Sequence, residues 1–179
     1  MLALLMCGGK GERLKSGEKP LFEVCGLKLI DHALKALSSH DVIAITSPFT
    51  PKTEKYLESI GIRFFRAKGR GFIEDYSEAI KILTLKGAIL IVCSDLIYLR
   101  DGIIDEIVSH YRNCGKKALR AVKDGEAVGI NIIIADEEGE QEEEIYIVDD
   151  VLNINTLEDV KKAEKLWTMK KKSKDLQID

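Results

Sequence analysis

Leu2-Ala3-Leu4-Leu5-Met6 runs directly into Cys7-Gly8-Gly9-Lys10-Gly11-Glu12-Arg13-Leu14, and then into Lys15-Ser16-Gly17-Glu18-Lys19-Pro20-Leu21. A short, uninterrupted apolar run that stops at glycines predicts a strand buried on both faces. Runs of the same kind recur at 42–46 (VIAIT), at 62–65 (IRFF) and, most clearly, at 88–92 (AILIV). Between them, apolar residues return at helical spacing: Ile30, Ala33, Leu34 and Leu37; Ile73, Tyr76, Ile80 and Leu83; Ile103, Ile104, Ile107, Val108 and Tyr111. Strands alternating with amphipathic helices predict an α/β fold, Rossmann-like and doubly wound, with a mostly parallel sheet and helices on both faces. Beyond residue 116 the pattern changes, because 118–122, 129–134 and 145–148 read as strands without long helices between them. At least one antiparallel strand at or near the sheet edge follows. A last helix is expected to begin at Thr156, a good N-cap, with Glu158 and Asp159 in its first turn, and to run through Val160, Ala163, Leu166 and Trp167.

The chain has 179 residues, 45% hydrophobic and 32% charged, with a formal net charge of -3. That suits one soluble domain, taken as 1–169, followed by a basic tail at 170–179 that is expected to be flexible. The acidic run at 136–144 (DEEGEQEEE) reads as a solvated loop. A slightly acidic chain lacks the basic face of a general nucleic-acid binder. No apolar run approaches membrane-spanning length, and the opening apolar residues lack the basic flank of a signal peptide. Cys7, Cys25, Cys93 and Cys114 show no CxxC spacing, and His32, His40 and His110 are scattered. No zinc pattern results; the cysteines read as reduced core thiols, which points to the cytoplasm.

The chemistry concentrates in the glycine loop. Gly8, Gly9 and Gly11 permit close main-chain approach by a ligand, and successive N–H groups in such a turn form an anion-binding concavity. Lys10, Arg13 and Lys19 add fixed positive charge. Backbone donors with nearby cations are what a triphosphate requires. The loop is not a Walker A motif, since no GxxxxGK[ST] occurs, and Leu14 stands where the dinucleotide fingerprint GxGxxG needs a glycine.

Asp95 stands just past the 88–92 strand. In an open α/β sheet, ligands bind outside the carboxyl ends of the strands, so Asp95 is expected to share an edge with the glycine loop. A carboxylate there suits Mg²⁺ between protein and phosphates, although it also suits a cap on the next segment. A second polar cluster lies at Asn153-Ile154-Asn155-Thr156. Asn153 or Asn155 is a candidate for metal or phosphate contact, set against a plain role in starting the last helix. Asn131, in an apolar strand, either faces the acceptor or satisfies buried backbone groups.

The segment from Gly8 to Arg13, followed by Glu18-Lys19-Pro20-Leu21, resembles the signature of the MobA-like nucleotidyltransferases, with Cys7 in place of the usual alanine. Thr46-Ser47-Pro48-Phe49-Thr50-Pro51-Lys52-Thr53 and Lys68-Gly69-Arg70-Gly71-Phe72-Ile73-Glu74-Asp75 narrow the likeness. Together with Cys93-Ser94-Asp95, Gly129-Ile130-Asn131 and Asn153-Ile154-Asn155-Thr156 they are similar to the archaeal GTP:adenosylcobinamide-phosphate guanylyltransferases over nearly the whole chain. The resemblance implies a nucleotidyltransferase that uses Mg²⁺, with GTP and adenosylcobinamide phosphate as substrates. It also places the metal aspartate at Asp95 and the preference for guanine in the family's base pocket. The hydroxyls of Thr46 and Ser47, the backbone at Gly71, and the carboxylate of Glu74 or Asp75 are candidate nucleotide contacts. Asp75 alternatively caps the helix that follows. Rival readings are another MobA-like nucleotidyltransferase, with a molybdopterin or sugar-phosphate acceptor, and a nucleotide-binding module without turnover. Lys10, Arg13 and Lys19 are expected to stabilise the departing pyrophosphate. Arg13→Ala should therefore lower turnover by about a hundredfold or more in a pyrophosphate-release assay, and near-normal turnover would contradict that role.

Overall fold

The computed structural model describes residues 1–9 and 17–175. Lys10, Gly11 and Arg13 lie outside the described residues. Seven strands form one sheet: β1 (Leu2–Met6), β4 (Asp41–Thr46), β5 (Phe64–Arg66), β6 (Ala88–Cys93), β8 (Ala118–Lys123), β9 (Glu126–Ile134) and β10 (Glu143–Ile147), in the order β10-β8-β9-β6-β1-β4-β5. Two small ribbons complete the strands: β2 (Glu23–Val24) with β3 (Leu27–Lys28), and β7 (Leu96–Tyr98) with β11 (Val151–Asn153). The helices are α1 (Leu29–Ala36), α2 (Pro51–Ser59), α3 (Phe72–Ile82), α4 (Ile103–Cys114) and α5 (Leu157–Asp175).

β1 pairs in parallel with both β4 and β6. From β1 the chain winds outward through β4 to β5, then returns by α3 to β6 on the other side of β1. The direction of winding therefore reverses between β1 and β6, and a crevice must open outside their carboxyl ends. Reversal also moves the crossover helix to the opposite face, because such connections are right-handed. Packing agrees. Leu5, Leu90 and Val92 pack on one face with residues of α1, α2 and α4. Leu4, Ile89 and Ile91 pack on the other face with Ala79 of α3. The central strands are buried on both sides, which is why they read as unbroken apolar runs.

The antiparallel strand is β9, inserted between β6 and β8 and opposed to both. A two-residue turn creates it. Asp124 and Gly125 take φ of 51° and 81°, the pair of positive values that a tight hairpin demands. The extra pairing begins at Glu126, upstream of the start that the apolar pattern suggests. Pattern reading also missed α2, whose nine residues PKTEKYLES carry too few apolar positions to show a stripe. At the other end, α5 continues past residue 169 through the basic run to Asp175, and Lys170 donates to Asp150 Oδ1 at 2.6 Å. Lysine is a good helix former, so charge alone does not end a helix.

Leu90 is fully buried in the middle of β6. Leu90→Ala should lower unfolding free energy by about 2–5 kcal/mol in denaturant titrations.

Candidate active site

Loops from β1, β4, β5 and β6, with the segment after β11, surround a cleft of about 510 Å³ at the reversal point. Gly8, Gly9, Lys19, Gly71, Asp75, Asp95 and Asn155 all line it. The sequence reading scattered these residues over most of the chain; the sheet brings their strand ends together.

Lys19 links three of these strand ends. Its ammonium donates to Asp95 Oδ2 and, at 2.8 Å, to Asn155 Oδ1. Both members of the ion pair are largely shielded, with side-chain exposures of 16% and 19%. The other Asp95 oxygen, Oδ1, is buried and has no hydrogen-bond partner among the described residues. A buried carboxylate oxygen left without a donor is costly unless a cation or donor meets it. The chain behind these side chains is fixed by the main chain itself. Ser94 N donates to Met6 O at 3.0 Å and Ile154 N to Asp95 O at 2.9 Å, which ties the ends of β1, β6 and β11.

Asn155 is held in turn. Its Nδ2 donates to Asn153 Oδ1 at 2.9 Å. Its backbone N–H donates to Asp159 Oδ2 at 2.9 Å, which also accepts from Thr156 N at 2.8 Å. Asp159 N donates back to Thr156 Oγ1 at 3.2 Å, closing a reciprocal capping box at the start of α5. Thr156 thus caps the last helix while Asn155, one residue earlier, faces the cleft. The helix-starting role read from Asn-Ile-Asn-Thr falls to Thr156, and of the two asparagines Asn155 lines the cleft.

Asp75 is buried at the start of α3, and its Oδ1 accepts from Arg70 N at 3.0 Å. Its neighbour Glu74 is exposed and does not line the cleft. Thr46 and Ser47 lie behind the wall. Thr46 Oγ1 donates to Glu54 Oε1 at 2.8 Å, and Ser47 Oγ donates to Gly8 O at 2.6 Å. Asn153 braces Asn155 without reaching the cleft. Asn131 stands within β9, paired to Ile91 and Arg120, and is also outside the lining.

Some lining residues gave no polar signal in the sequence. Phe49 and Phe72 are exposed aromatic rings at the cleft. Phe49 packs so closely on Gly69 that a Cβ there would stand 2.8 Å from its ring, and Gly69 has φ +69°. An aromatic residue in a polar loop, opposite a glycine, is the trace such a contact leaves. Cys7 and Cys93 also line the cleft. Burial pushes the Cys7 thiol up to about 12 and raises that of Cys93 further, so neither is a ready nucleophile. Among the described residues, no group of three or more histidines, cysteines, aspartates or glutamates comes together to hold a metal.

Residues 3–166 match the sequence profile of the MobA-like NTP transferase domain. The chain belongs to that family. It is 35% identical over 93% of its length to the adenosylcobinamide-phosphate guanylyltransferase of Methanocaldococcus jannaschii, covering 97% of that enzyme. Its fold is similar to that of the molybdopterin-guanine dinucleotide biosynthesis protein A of Archaeoglobus fulgidus, with a TM-score of 0.72, 18% identity and coverage of 94% and 100% of the two chains. The inositol-1-phosphate CTP transferase of T. maritima gives a TM-score of 0.69 at 12% identity, covering 95% and 96%. The family and the relative make this chain a nucleotidyltransferase. No described helix is long and apolar enough to cross a membrane.

The β4 side of the site carries an acid-sensitive support. The Arg66 guanidinium, hydrogen-bonded to Glu54, holds that carboxyl below its ordinary 4.5; burial opposes this, and Thr46 assists it. A carboxyl with a lowered folded value contributes stability above its unfolded value and loses it as pH falls through the folded one. Glu54→Gln should therefore lower stability at neutral pH and flatten the decline below pH ~4.5 in a pH series of thermal melts.

Proposed function

We propose that this nucleotidyltransferase transfers GMP from GTP to adenosylcobinamide phosphate, giving adenosylcobinamide-GDP and pyrophosphate in cobalamin biosynthesis. The observation that carries the reading is the 35% identity, over 93% of the chain, to the M. jannaschii enzyme of that name. The site's chemistry supports it. A phosphate oxygen of the acceptor attacks the α-phosphorus of GTP, the bond from that phosphorus to the β-phosphate oxygen breaks, and pyrophosphate leaves with the electron pair. A phosphate monoester loses its second proton at about pH 6, so the nucleophile needs no general base at neutral pH. The high thiol values of Cys7 and Cys93 agree with a site that works by positioning and charge.

In this reading Lys19 exchanges Asp95 for phosphate oxygens and stabilises the departing pyrophosphate, with Lys10 and Arg13 from the same loop. Gly8, Gly9 and Gly11 bring backbone N–H groups to the phosphates. The carboxylate that accepts the guanine N1–H and amino group is Asp75, preferred over Glu74 because it is buried and lines the cleft. The unpartnered Oδ1 of Asp95 fits a cation, and Asp95 with the triphosphate oxygens would hold Mg²⁺. Bound there, Mg²⁺ supplies charge neutralisation to the phosphates. Asn155 keeps Lys19 oriented, and Asn153 keeps Asn155 oriented. The scattered spacing of the four cysteines is in keeping with a cytoplasmic enzyme.

Pyrophosphate release should occur with GTP and adenosylcobinamide phosphate, and fall sharply with ATP or CTP. Lys19→Ala and Asp95→Ala should each lower kcat by about a hundredfold or more. Turnover that ignores the base, or that prefers a molybdopterin or sugar phosphate, would overturn the assignment.

A further inference from the structure

The segment Thr46–Thr53 is among the most distinctive in the sequence, yet its hydroxyls do not face the cleft. Two of them, those of Ser47 and Thr53, meet residues that flank the glycine loop. Ser47 Oγ donates to Gly8 O at 2.6 Å, at the loop's entry. At its exit, Glu18 accepts three hydrogen bonds from the start of α2: Lys52 N at 2.8 Å, Thr53 N at 2.6 Å and Thr53 Oγ1 at 2.7 Å. The local sequence leaves these donors open for it. Pro51, the first residue of α2, has no N–H to satisfy. Thr50, at the N-cap, makes no side-chain cap, because its hydroxyl is engaged with the backbone of Ser47. The first-turn N–H groups of Lys52 and Thr53 therefore find their acceptor in a carboxylate 34 and 35 residues away. A carboxylate also suits the positive end of the helix.

Glu18 immediately precedes Lys19. Its carbonyl accepts Leu21 N at 3.0 Å, which starts the Lys19–Leu21 turn. Side chain and main chain of Glu18 thus both fix the point from which Lys19 reaches Asp95 and Asn155.

We propose that Glu18 is a positioning residue for Lys19, and that the first turn of α2 is the clamp that holds it. The proposal rests on the reading of Lys19 as the cation that stabilises the leaving group. Displacing a charge by about an ångström costs up to on the order of a hundredfold in rate, which sets the scale of the expected effect.

The test is a double-mutant cycle on the full chain: Glu18→Ala, Lys19→Ala and both together. Pyrophosphate release and thermal melts are the two readouts. Glu18→Ala should lower kcat by roughly tenfold to a hundredfold in the native background and by less than about twofold in the Lys19→Ala background. The melting temperature should fall by the same amount in both backgrounds, because the cap on α2 is lost in each. A kcat loss of equal factor in both backgrounds, or none in the native one, overturns the clamp while leaving the site reading intact. No loss from Lys19→Ala alone overturns the site reading and the clamp with it. Should Glu18→Ala fail to fold, Glu18→Gln carries the same cycle. It keeps the shape but turns an NH₂ group toward one of the α2 N–H donors, so the same coupling is expected on a smaller scale.

Discussion

One ammonium group joins the parts of this molecule that sequence keeps apart. Lys19 Nζ lies between Asp95, 76 residues away, and Asn155, 136 residues away. Through it the loop after β1 meets the ends of β6 and β11. A shielded pair of this kind is not mainly a source of stability, since removing two charges from water offsets much of their attraction. Its value is that a cation and a carboxylate stand preorganised together in one cleft. Asp95 keeps one oxygen for Lys19 and one, Oδ1, with no hydrogen-bond partner among the described residues. That asymmetry is what a polyanion arriving with a cation would exploit.

The ammonium can hold that position only because its supports are rigid. Behind Asp95 stands β6, whose Ile89, Leu90, Ile91 and Val92 are fully buried. Asn155 rests on the capping box of α5, where Asp159 accepts from the backbone of both Asn155 and Thr156. Glu18, pinned to the first turn of α2, anchors the chain just ahead of Lys19. A network built from the packed ends of strands and helices places charges more reproducibly than one built on loops alone. A transferase that relies on positioning and charge depends on that reproducibility.

Part of this was legible in the sequence. The buried runs at 2–6 and 88–92 announce strands covered on both faces, and the glycines after Met6 announce the end at which a ligand can approach. Gly8, Gly9, Lys19, Asp75, Asp95 and Asn155 were all nameable as candidates, from their place beside readable elements or from the family resemblance. Thr46 and Ser47 were nameable on the same grounds, yet their hydroxyls turn to Glu54 and to Gly8 O. A polar side chain at a strand end reads identically whether it faces a ligand or braces a neighbouring loop. The helix α2 and the partnership between Glu18 and Thr53 left no periodic trace, since one rests on a weakly apolar stretch and the other on a contact between distant segments.

The sequence alone determined the class of fold and the chemical types available: alternating buried strands and amphipathic helices, a glycine turn, cations beside it, and a carboxylate past β6. Local patterns suffice for these because burial and backbone geometry act over a few residues. Only the tertiary structure decided which candidates share a cleft. That depends on strand order, and the winding reverses between β1 and β6, a choice set by how the helices pack on the two faces of the sheet. It also decided that Asp75 rather than Glu74 lines the cleft, and that the hydroxyls of Ser47 and Thr53 meet residues flanking the loop, since side-chain direction is fixed by packing between elements and not by spacing along the chain.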